Sequence, residues 1–582
     1  MRRAAFLLGR AAARAKTESM TPFPLWPLGR SPARRLLQTL TLVVACTVAC
    51  SAALAPAPAA AAEPRFDILE FVVEGDTVLG AAAIERAVYP FLGPQRSVAD
   101  AEGARKALEA AYQAAGYLSV TVLLPPQRVD NAGGEVRLLV QAAAVDKLRV
   151  TGAQYTLPSR LREALPSLAP GQVPDFNAMQ DELGALARRS NDREITPLLA
   201  AGSRPGTLDV ELKVQESAPL HGHAELNSKR SIGTADGRLE AGIRWDNLFQ
   251  RDHSIGLDWL VSPREPSQSN IQNLLYNLPL GGAGDRLFLT YTHSDSDTPT
   301  SLGGATVSRG DTVRLRWRDE LPRLGTASHA LSWGLTWRDL RDGNRDVAGF
   351  TTPSTPLRYP SFSLGWDMDL ASTSVPGRTT RLGAEFTATV RGLSARNVAC
   401  STGAGDALVD QFDCKRSGAR PAFQVLGFNA MHTEPLGSWR LMVRLQGQLT
   451  DAPLVPAEQL VLGGEDSARG YFEGEQAGDL GAALRLELTA PAWSPHDGVQ
   501  LQALGFHDVA HLHKLEALPG EVANTRLHSL GLGLRLDTRF GLTAALYWSQ
   551  VLQATSRAGA TGLLEAATPR GRRLDLSVRQ RF

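Results

Sequence analysis

The residue types that perform catalysis are present in this chain, but not in the motifs of the common hydrolases or nucleotide-binding proteins. The sequence has no G-x-S-x-G, no H-E-x-x-H and no phosphate-binding G-x-x-x-x-G-K-[ST] motif. His511 and His513 lie close to Asp508 in the sequence, but we expect the two histidines in a loop rather than at a metal site. We therefore predict a protein that is not an enzyme, has no cofactor and holds no metal.

Two cysteines far from the N-terminus favour a disulfide. Cys400 and Cys414 lie in a stretch rich in Gly, Ser, Asp and Asn, whereas Cys46 and Cys50 lie in the N-terminal segment. Zinc frameworks need more cysteines or nearby histidines than this stretch provides. We predict that Cys400 and Cys414 are bonded to each other, which implies an oxidising compartment.

The N-terminus has the features of an export signal. Residues 36–54 form an apolar core that follows Arg34 and Arg35 and precedes an alanine-rich stretch. A basic flank, an apolar core and small residues before the cleavage point are typical of a secretory signal peptide. We predict that residues 1–62 are this signal and that the mature chain leaves the cytoplasm.

The composition argues against several other classes of protein. The chain has 582 residues, with 61 Lys and Arg against 60 Asp and Glu and a net charge of +1. Nucleic-acid-binding proteins usually have a clear basic excess, so we predict no nucleic acid partner. The mean hydropathy is −0.15, and no apolar run long enough for a membrane-spanning helix follows residue 62. Transmembrane β strands remain compatible with these values, because they alternate apolar and polar residues.

Two copies of one α+β pattern follow the signal. In each copy, apolar stretches flank two amphipathic segments in the order β-α-α-β-β. The first copy, residues 66–142, has predicted strands at 67–73, 118–124 and 135–140 and predicted helices at 80–89 and 98–115. The second copy, residues 143–217, has predicted strands at 145–151, 193–200 and 207–214 and predicted helices at 158–166 and 175–189.

The rest of the chain, residues 218–582, alternates apolar and polar residues in segments of about ten residues. Leu530, Leu532 and Leu534, for example, alternate with residues that include Arg535. We predict an all-β region, a 16-stranded antiparallel transmembrane β barrel with a polar lumen. The predicted strands lie near 219–228, 236–245, 253–261, 269–278, 285–294, 309–318, 327–338, 360–369, 379–391, 421–431, 437–449, 479–490, 498–508, 527–537, 540–551 and 572–582.

A four-residue motif suggests a family. Residues 459–479 contain Ala468-Arg469-Gly470-Tyr471, which resembles the V-R-G-[YF] tetrad of the two-partner secretion outer-membrane translocators. These translocators form the TpsB family of the haemolysin and haemagglutinin secretion-activation type. Ala468 stands where the family usually has valine. The family carries the tetrad in its sixth outer loop, and the segment follows the eleventh predicted strand, so it falls in the sixth outer loop here as well.

Two further regions share this resemblance. Gly-Phe-His-Asp at 505–508 resembles the wall motif of the family, in which an aspartate on the thirteenth strand holds the loop arginine. The resemblance thus implies that Arg469 pairs with Asp508 inside the lumen, with Phe506 beside them. The two α+β copies resemble POTRA domains (polypeptide-transport-associated domains), so the family pattern covers nearly all of the mature chain.

The resemblance also implies a place where the first POTRA domain receives substrate. A POTRA domain captures an extended segment by adding it to a sheet edge. We expect that edge at the strand near 118–124. We expect Tyr112, Tyr117, Leu118 and Val120 to contribute to substrate binding there.

The function implied is export of a large secreted exoprotein, recognised while unfolded through its N-terminal secretion domain and moved without nucleotide hydrolysis. The location implied is the cell outer membrane, with the POTRA domains in the periplasm. Outer-membrane lipid and the barrel-assembly machinery would be further partners, because the last strand alternates and ends at Phe582. Three alternatives are a barrel insertase of the same superfamily, which usually has more POTRA repeats, a barrel-anchored enzyme, and a general porin with periplasmic docking domains.

Overall fold

The structure is a computed structural model that describes residues 65–582 except for eleven short segments. The segments outside the description are 76–77, 129–133, 233, 282–283, 297–299, 303–304, 308, 343–354, 403–404, 518–521 and 559–563, together with residues 1–64. The predicted signal peptide, with Cys46 and Cys50, therefore lies outside the described residues. No helix among the described residues is long and apolar enough to cross a membrane.

The first α+β unit has a three-stranded sheet covered by helices. Its strands are β1 (Phe66–Ile68), β2 (Glu70–Gly75), β3 (Gly93–Arg96), β4 (Val120–Leu123) and β5 (Glu135–Ala142). Its helices are α1 (Ala81–Val88), α2 (Val98–Ala114) and a 3-10 turn at Tyr89–Phe91. The sheet order is β2-β5-β4, with β2 parallel and β4 antiparallel to β5. The predicted strand 67–73 is split at Leu69, because β1 pairs with β3 in a separate two-stranded sheet.

Helix α2 begins where the sequence provides a cap. Ser97 accepts a hydrogen bond from the backbone N–H of Asp100 at 3.3 Å, and the Asp100 carboxylate accepts one from the Ser97 N–H at 2.8 Å. This capping box satisfies two donors that the first turn of a helix leaves free. The hydrogen bonds from Ser97 hold the pKa of Asp100 below its usual value, so the carboxylate stays ionised at the helix start.

The second α+β unit repeats the arrangement. It consists of β6 (Ala144–Thr151), α3 (Pro158–Glu163), a 3-10 turn at Pro166–Leu168, α4 (Phe176–Arg189), β7 (Arg193–Ala201) and β8 (Thr207–Glu216). The sheet order is β6-β8-β7. The helix predicted at 158–166 ends at Glu163, because the residue before Pro166 disfavours the helical conformation. The unit contacts the barrel where Arg193 donates hydrogen bonds of 3.0 and 3.2 Å to the Asp252 carboxylate.

The remaining strands form a closed barrel. Its sixteen spanning strands among the described residues are β9 (Leu220–Asn227), β10 (Arg238–Leu248), β11 (His253–Val261), β12 (Ser269–Leu280), β13 (Asp285–Ser296), β16 (Gly310–Leu324), β17 (Ala327–Asp342), β18 (Thr355–Ala371), β19 (Thr379–Ala388), β22 (Gln424–Leu436), β23 (Trp439–Thr450), β26 (Leu480–Thr489), β28 (Val499–His513), β29 (Asn524–Thr538), β30 (Leu542–Val551) and β33 (Gly571–Arg581). Each is antiparallel to its neighbour, and β33 closes on β9. The predicted fold class, with all sixteen strands, is confirmed.

Smaller elements lie in the connections. They are β14 (Thr300–Leu302), β15 (Ala305–Val307), α5 (Arg391–Ser394), β20 (Asn397–Thr402), β21 (Gly405–Asp410), α6 (Gln411–Lys415), β24 (Leu460–Leu462), β25 (Gln476–Gly478), β27 (Trp493–His496), β31 (Ser556–Ala558), β32 (Leu564–Ala566) and 3-10 turns at Pro266–Gln268 and Pro456–Glu458. All except β27 lie at the end of the barrel that is opposite the α+β units. We call this the outer end.

Two long connections fill this outer end. Loop 5 is residues 389–423, between β19 and β22, and loop 6 is residues 451–479, between β23 and β26. Within loop 5, Cys400 and Cys414 form a disulfide with a Cα–Cα distance of 5.8 Å. Phe412 of loop 5 is fully buried beside Tyr359 of β18 and Leu454 of loop 6. The two loops therefore pack on the inner wall as one body.

Candidate functional site

Loop 6 folds back into the barrel instead of extending from its rim. Strands β24 and β25 form a short hairpin at its base, and an isolated bridge joins Gly464 to Ala468 at its tip. Gly463, Gly464 and Gly470 have φ of +120°, +94° and +89°. A side chain at these angles is strained, so the tight path of the tip depends on glycine.

The tip places Arg469 against the barrel wall. The guanidinium Nε and Nη2 donate hydrogen bonds of 2.8 Å each to the two carboxylate oxygens of Asp508 on β28. The backbone N–H of Arg469 adds a bond of 3.1 Å to the same carboxylate. Arg469 is 1% exposed and Asp508 is fully buried. A two-bond fork of this kind fixes both the position and the orientation of the arginine.

A second carboxylate, on β26, completes the contact. Arg469 Nη1 donates a hydrogen bond of 2.9 Å to Glu487, which is 3% exposed. Glu487 also accepts bonds of 2.6 and 2.9 Å from Arg535 on β29. Glu487 is not among the site residues predicted from the sequence. The sequence did indicate that Glu487 faces the lumen, because it alternates with apolar residues on β26. This strand pairs with β28, which carries Asp508.

Aromatic rings enclose the arginine on its remaining side. The guanidinium carbon lies 3.7 Å from the centre of the Phe506 ring and 5.5 Å from that of Tyr547. A cation over an aromatic face is attracted by the ring quadrupole, more strongly where water is excluded. Phe506 thus lies beside the pair, on the same face of β28 as Asp508.

The two residues after Arg469 hold the tip against β29 and β30, the strands that follow β28 in the barrel. A Cβ at Gly470 would lie 2.9 Å from the Cβ of Ser549, so only glycine fits between the tip and β30. The Tyr471 hydroxyl donates a hydrogen bond of 2.6 Å to the Gln553 carbonyl and accepts one of 2.9 Å from the His528 N–H. The tip of loop 6 is therefore fixed to four neighbouring strands, β26, β28, β29 and β30.

A second buried ion pair joins loop 6 to loop 5. Arg416 of loop 5 donates to both oxygens of Asp479 at the end of loop 6, with 2.8 Å between Nη2 and Oδ2. The fully buried Asp479 also accepts bonds from the backbone N–H groups of Leu454 at 3.0 Å and Leu515 at 2.7 Å. One carboxylate thus connects loops 5 and 6 to the connection after β28.

A charged cavity lies between loop 6 and the first barrel strands. Its volume is about 500 Å³. Acidic and basic side chains line it together, among them Lys229, Arg238, Glu240, Glu465, Glu473 and Arg579. Lys229 Nζ lies 3.4 Å from a carboxylate oxygen of Glu465. The described part of the lumen is therefore polar on this side.

The expected substrate-binding residues of the first α+β unit do not form one surface. Tyr112 is fully buried and Val120 is 2% exposed, both within the core between α2 and the sheet. The side chain of Tyr112 is therefore not available for the expected apolar contact with substrate, because the sheet covers the apolar face of α2. For Val120 the expectation concerned its backbone N–H at the sheet edge. Leu118 is 57% exposed, and Tyr117 is half-buried against the same core.

The backbone of β4 is also partly occupied. This strand lies at one edge of its sheet. The Val120 N–H donates to the Tyr117 carbonyl at 3.3 Å, and Arg105 Nη1 donates to the Val122 carbonyl at 3.1 Å. Two of its backbone groups therefore already have partners within the unit.

The two histidines near Asp508 were expected in a loop, and this was wrong. His511 and His513 lie on β28, at its outer end. Asp508 faces the lumen, whereas His511 alternates with the buried Ala510 and Leu512 and faces outward. The three residues therefore do not converge.

Comparison with known proteins agrees with this architecture. A family model described as haemolysin secretion/activation protein ShlB/FhaC/HecB matches residues 206–536, and a model of the ShlB-type POTRA domain matches residues 66–142. The outer membrane transporter CdiB of Escherichia coli is 27% identical over 466 residues, which cover 77% of this chain and 73% of CdiB. The heme/hemopexin transporter protein HuxB of Haemophilus influenzae strain 86-028NP is 22% identical over 476 residues, which cover 76% of each chain.

A solved structure has the same fold. CdiB from Escherichia coli superposes with a TM-score of 0.61 and 21% identity, over 91% of this chain and 93% of that one. The family model covers more than half of the chain and includes most of the barrel. The chain therefore belongs to the haemolysin secretion/activation family ShlB/FhaC/HecB, and it is an outer-membrane transporter of the two-partner secretion type with its POTRA region in the periplasm.

Proposed function

We propose that this transporter exports one large partner exoprotein, in an unfolded state and without nucleotide hydrolysis. The observation that carries the proposal is the buried pair of Arg469 and Asp508, which holds loop 6 inside a lumen lined by charged side chains. An unfolded chain keeps its backbone groups hydrated, so it needs a polar path across the membrane. Folding outside the cell then prevents its return and supplies direction.

Transport by the purified protein tests this proposal. The full-length transporter is placed in liposomes, and the exoprotein is added from urea to one side without nucleotide. We expect exoprotein to become protected from external protease, and a prefolded exoprotein to remain outside. Transport that needs added nucleotide, or equal transport of the prefolded exoprotein, would contradict the proposal.

We assign recognition of the exoprotein to the periplasmic part of the transporter. In this proposal residues 1–62 are a cleaved signal peptide, 66–142 and 143–217 are two POTRA domains, and 218–582 is the barrel. The first domain binds the N-terminal secretion domain of the exoprotein beside β4, where Leu118 is 57% exposed. Because Arg105 occupies a backbone carbonyl of β4, the cargo strand has to displace this side chain when it pairs with the edge.

A leucine comparison tests the recognition surface. Leu118→Asp should weaken binding of the purified secretion domain to the full-length transporter at least tenfold, because a charge replaces apolar contact at the edge. Leu69→Asp is the matched control, since Leu69 is 64% exposed in the same unit and lies away from β4. Equal affinity of the Leu118→Asp variant and the wild type would reject this surface.

Assembly is assigned to the last strand and to the lipid-facing wall. The backbone of Phe582 exchanges hydrogen bonds of 2.8 and 3.0 Å with Gly222 of β9, and the Phe582 side chain is 71% exposed. We propose that the barrel-assembly machinery recognises this terminal residue before the barrel closes. Phe582→Ala should lower the amount of folded barrel in the outer membrane without changing transport per folded molecule.

A further inference from the structure

The outward face of four neighbouring strands is apolar along most of its length. On β26, β28, β29 and β30 leucine is the commonest outward residue, and Leu530, Leu532 and Leu534 are 41%, 63% and 45% exposed. From Leu501 to Val509, a stretch whose outward positions are apolar except for His507, β28 rises about 26 Å along its axis, or about 20 Å across the membrane at a tilt of roughly 40°. This length is comparable to the apolar band of an outer-membrane barrel.

Imidazole and guanidinium groups appear toward the outer end of this face on β28 and β29, with the apolar Val509 between His507 and His511. His507 and His511 on β28 face outward beside Arg526 and His528 on β29. His511 stands directly opposite Arg526 in the ladder, and His507 Nε2 lies 2.7 Å from His528 Nε2. Both His511 and Arg526 are exposed. We call these four residues the outer basic patch.

Nothing acidic balances the patch on these strands. The outward positions of β26, β28, β29 and β30 include no aspartate or glutamate among the described residues. Asp508 and Glu487 are buried on the lumen side of these strands and paired with Arg469. The exposed Glu516 lies in the connection after β28, and its carboxylate lies beside Gly418 of loop 5. The patch therefore offers N–H donors and positive charge to the membrane.

We propose that the outer basic patch binds the phosphate of a lipid headgroup in the outer leaflet. The height of His511 and Arg526 fits, because this pair lies beyond Val509 at the outer end of the apolar stretch, where the headgroups begin, and His507 and His528 lie just below it. Its chemistry fits as well, since guanidinium forms paired hydrogen bonds with phosphate and imidazole supplies further N–H donors. Basic side chains at the membrane surface attract anionic lipid in general.

The patch lies behind the attachment of loop 6. His507 precedes Asp508, and the backbone N–H of His528 donates to the Tyr471 hydroxyl at 2.9 Å. A lipid that holds the side chains of His507 and His528 from outside stiffens the same stretch of wall that fixes the loop from inside. The bound lipid thus supports the docked state of loop 6.

Lipid binding by the full-length protein in detergent tests the proposal. The probes are diphosphoryl lipid A, the same lipid with its phosphates removed, and inorganic phosphate, with bound molecules counted by native mass spectrometry. We expect the diphosphoryl lipid to bind at least tenfold more tightly than the dephosphorylated lipid. The double variant Arg526→Gln, His511→Gln should lose this preference, and His507→Gln should weaken it while the barrel remains folded.

Arg572→Gln provides the matched control. Arg572 is an exposed, outward arginine on the nearby strand β33, without the neighbouring imidazoles, and its loss should leave the preference intact. Equal binding of the two lipids, or an unchanged preference in the double variant, would overturn the proposal. Inorganic phosphate that displaces the lipid at equal concentration would also overturn it, because the site would then recognise the free ion and not a headgroup.

Discussion

Removal of the loop arginine is the most informative single change in this transporter. Arg469→Ala removes three charge-assisted side-chain hydrogen bonds, two to Asp508 and one to Glu487. Both carboxylates stay buried, at 0% and 3% exposure. Asp508 would keep the backbone N–H of residue 469 and a more distant arginine, since Arg485 Nε lies 3.7 Å away.

The free-energy cost of this substitution follows from the burial of the ion pair. Breaking a buried pair on one side costs about 3–5 kcal/mol. At 1.4 kcal/mol per tenfold change, the docked loop would become less favoured by a factor of roughly 100 to 4,000. We expect Arg469→Lys to recover only part of this loss, because an ammonium group cannot form the two-bond fork.

Two measurements report the change. Hydrogen exchange of the backbone at the loop 6 tip should accelerate in Arg469→Ala, and the secreted exoprotein should decrease at equal outer-membrane levels of transporter. The double variant Arg469→Ala, Asp508→Ala should secrete little less than either single variant, because each single substitution already removes the same contact. Arg444→Ala is the matched control, since this arginine faces the lumen from β23, opposite Arg485. Normal secretion and normal exchange in Arg469→Ala, or strictly additive losses, would refute the reasoning.

Three further predictions concern the packing of the loops. Replacing Cys400 and Cys414 by serine should destabilise loop 5 by roughly 3 kcal/mol in the chain-entropy model, seen as faster proteolysis of that loop, and the unreduced wild type should take up no thiol label when denatured. Asp479→Asn should free loops 5 and 6 together, since it weakens the bonds from Arg416. Hydrogen exchange confined to one loop would contradict the shared connection. Gly470→Ala should cost about 1–3 kcal/mol through its φ of +89° and reproduce the Arg469→Ala phenotype; wild-type secretion would show that the tip has another path.

The barrel could be predicted from the sequence because the membrane imposes its pattern directly. Each strand must place apolar residues toward lipid, so runs such as Leu530, Leu532 and Leu534 mark both the strand and its outward face. The pair of Arg469 and Asp508 could be anticipated through a family resemblance. Spacing alone does not bring together residues that are 39 positions apart.

The contacts that could not be predicted from the sequence are those between side chains on different strands. Glu487 was visible as a polar position on its strand, but its pairing with Arg469 and Arg535 depends on the register of β26, β28 and β29. Tyr112 was assigned to substrate although it follows Leu108 by one helical turn. That spacing places it on the apolar stripe of α2, which the sheet covers completely.

The central claim is that the exoprotein crosses the membrane through the lumen of this barrel. Photo-crosslinking of an exoprotein arrested in transit tests it most directly, with a crosslinker at Gln446 or at Leu445 of β23. Leu445 is 37% exposed on the outward face, and Gln446, the next residue, faces the lumen. We predict crosslinks to the exoprotein from position 446 and none from position 445. Crosslinks from position 445 alone, or from neither position while secretion continues, would contradict passage through the lumen.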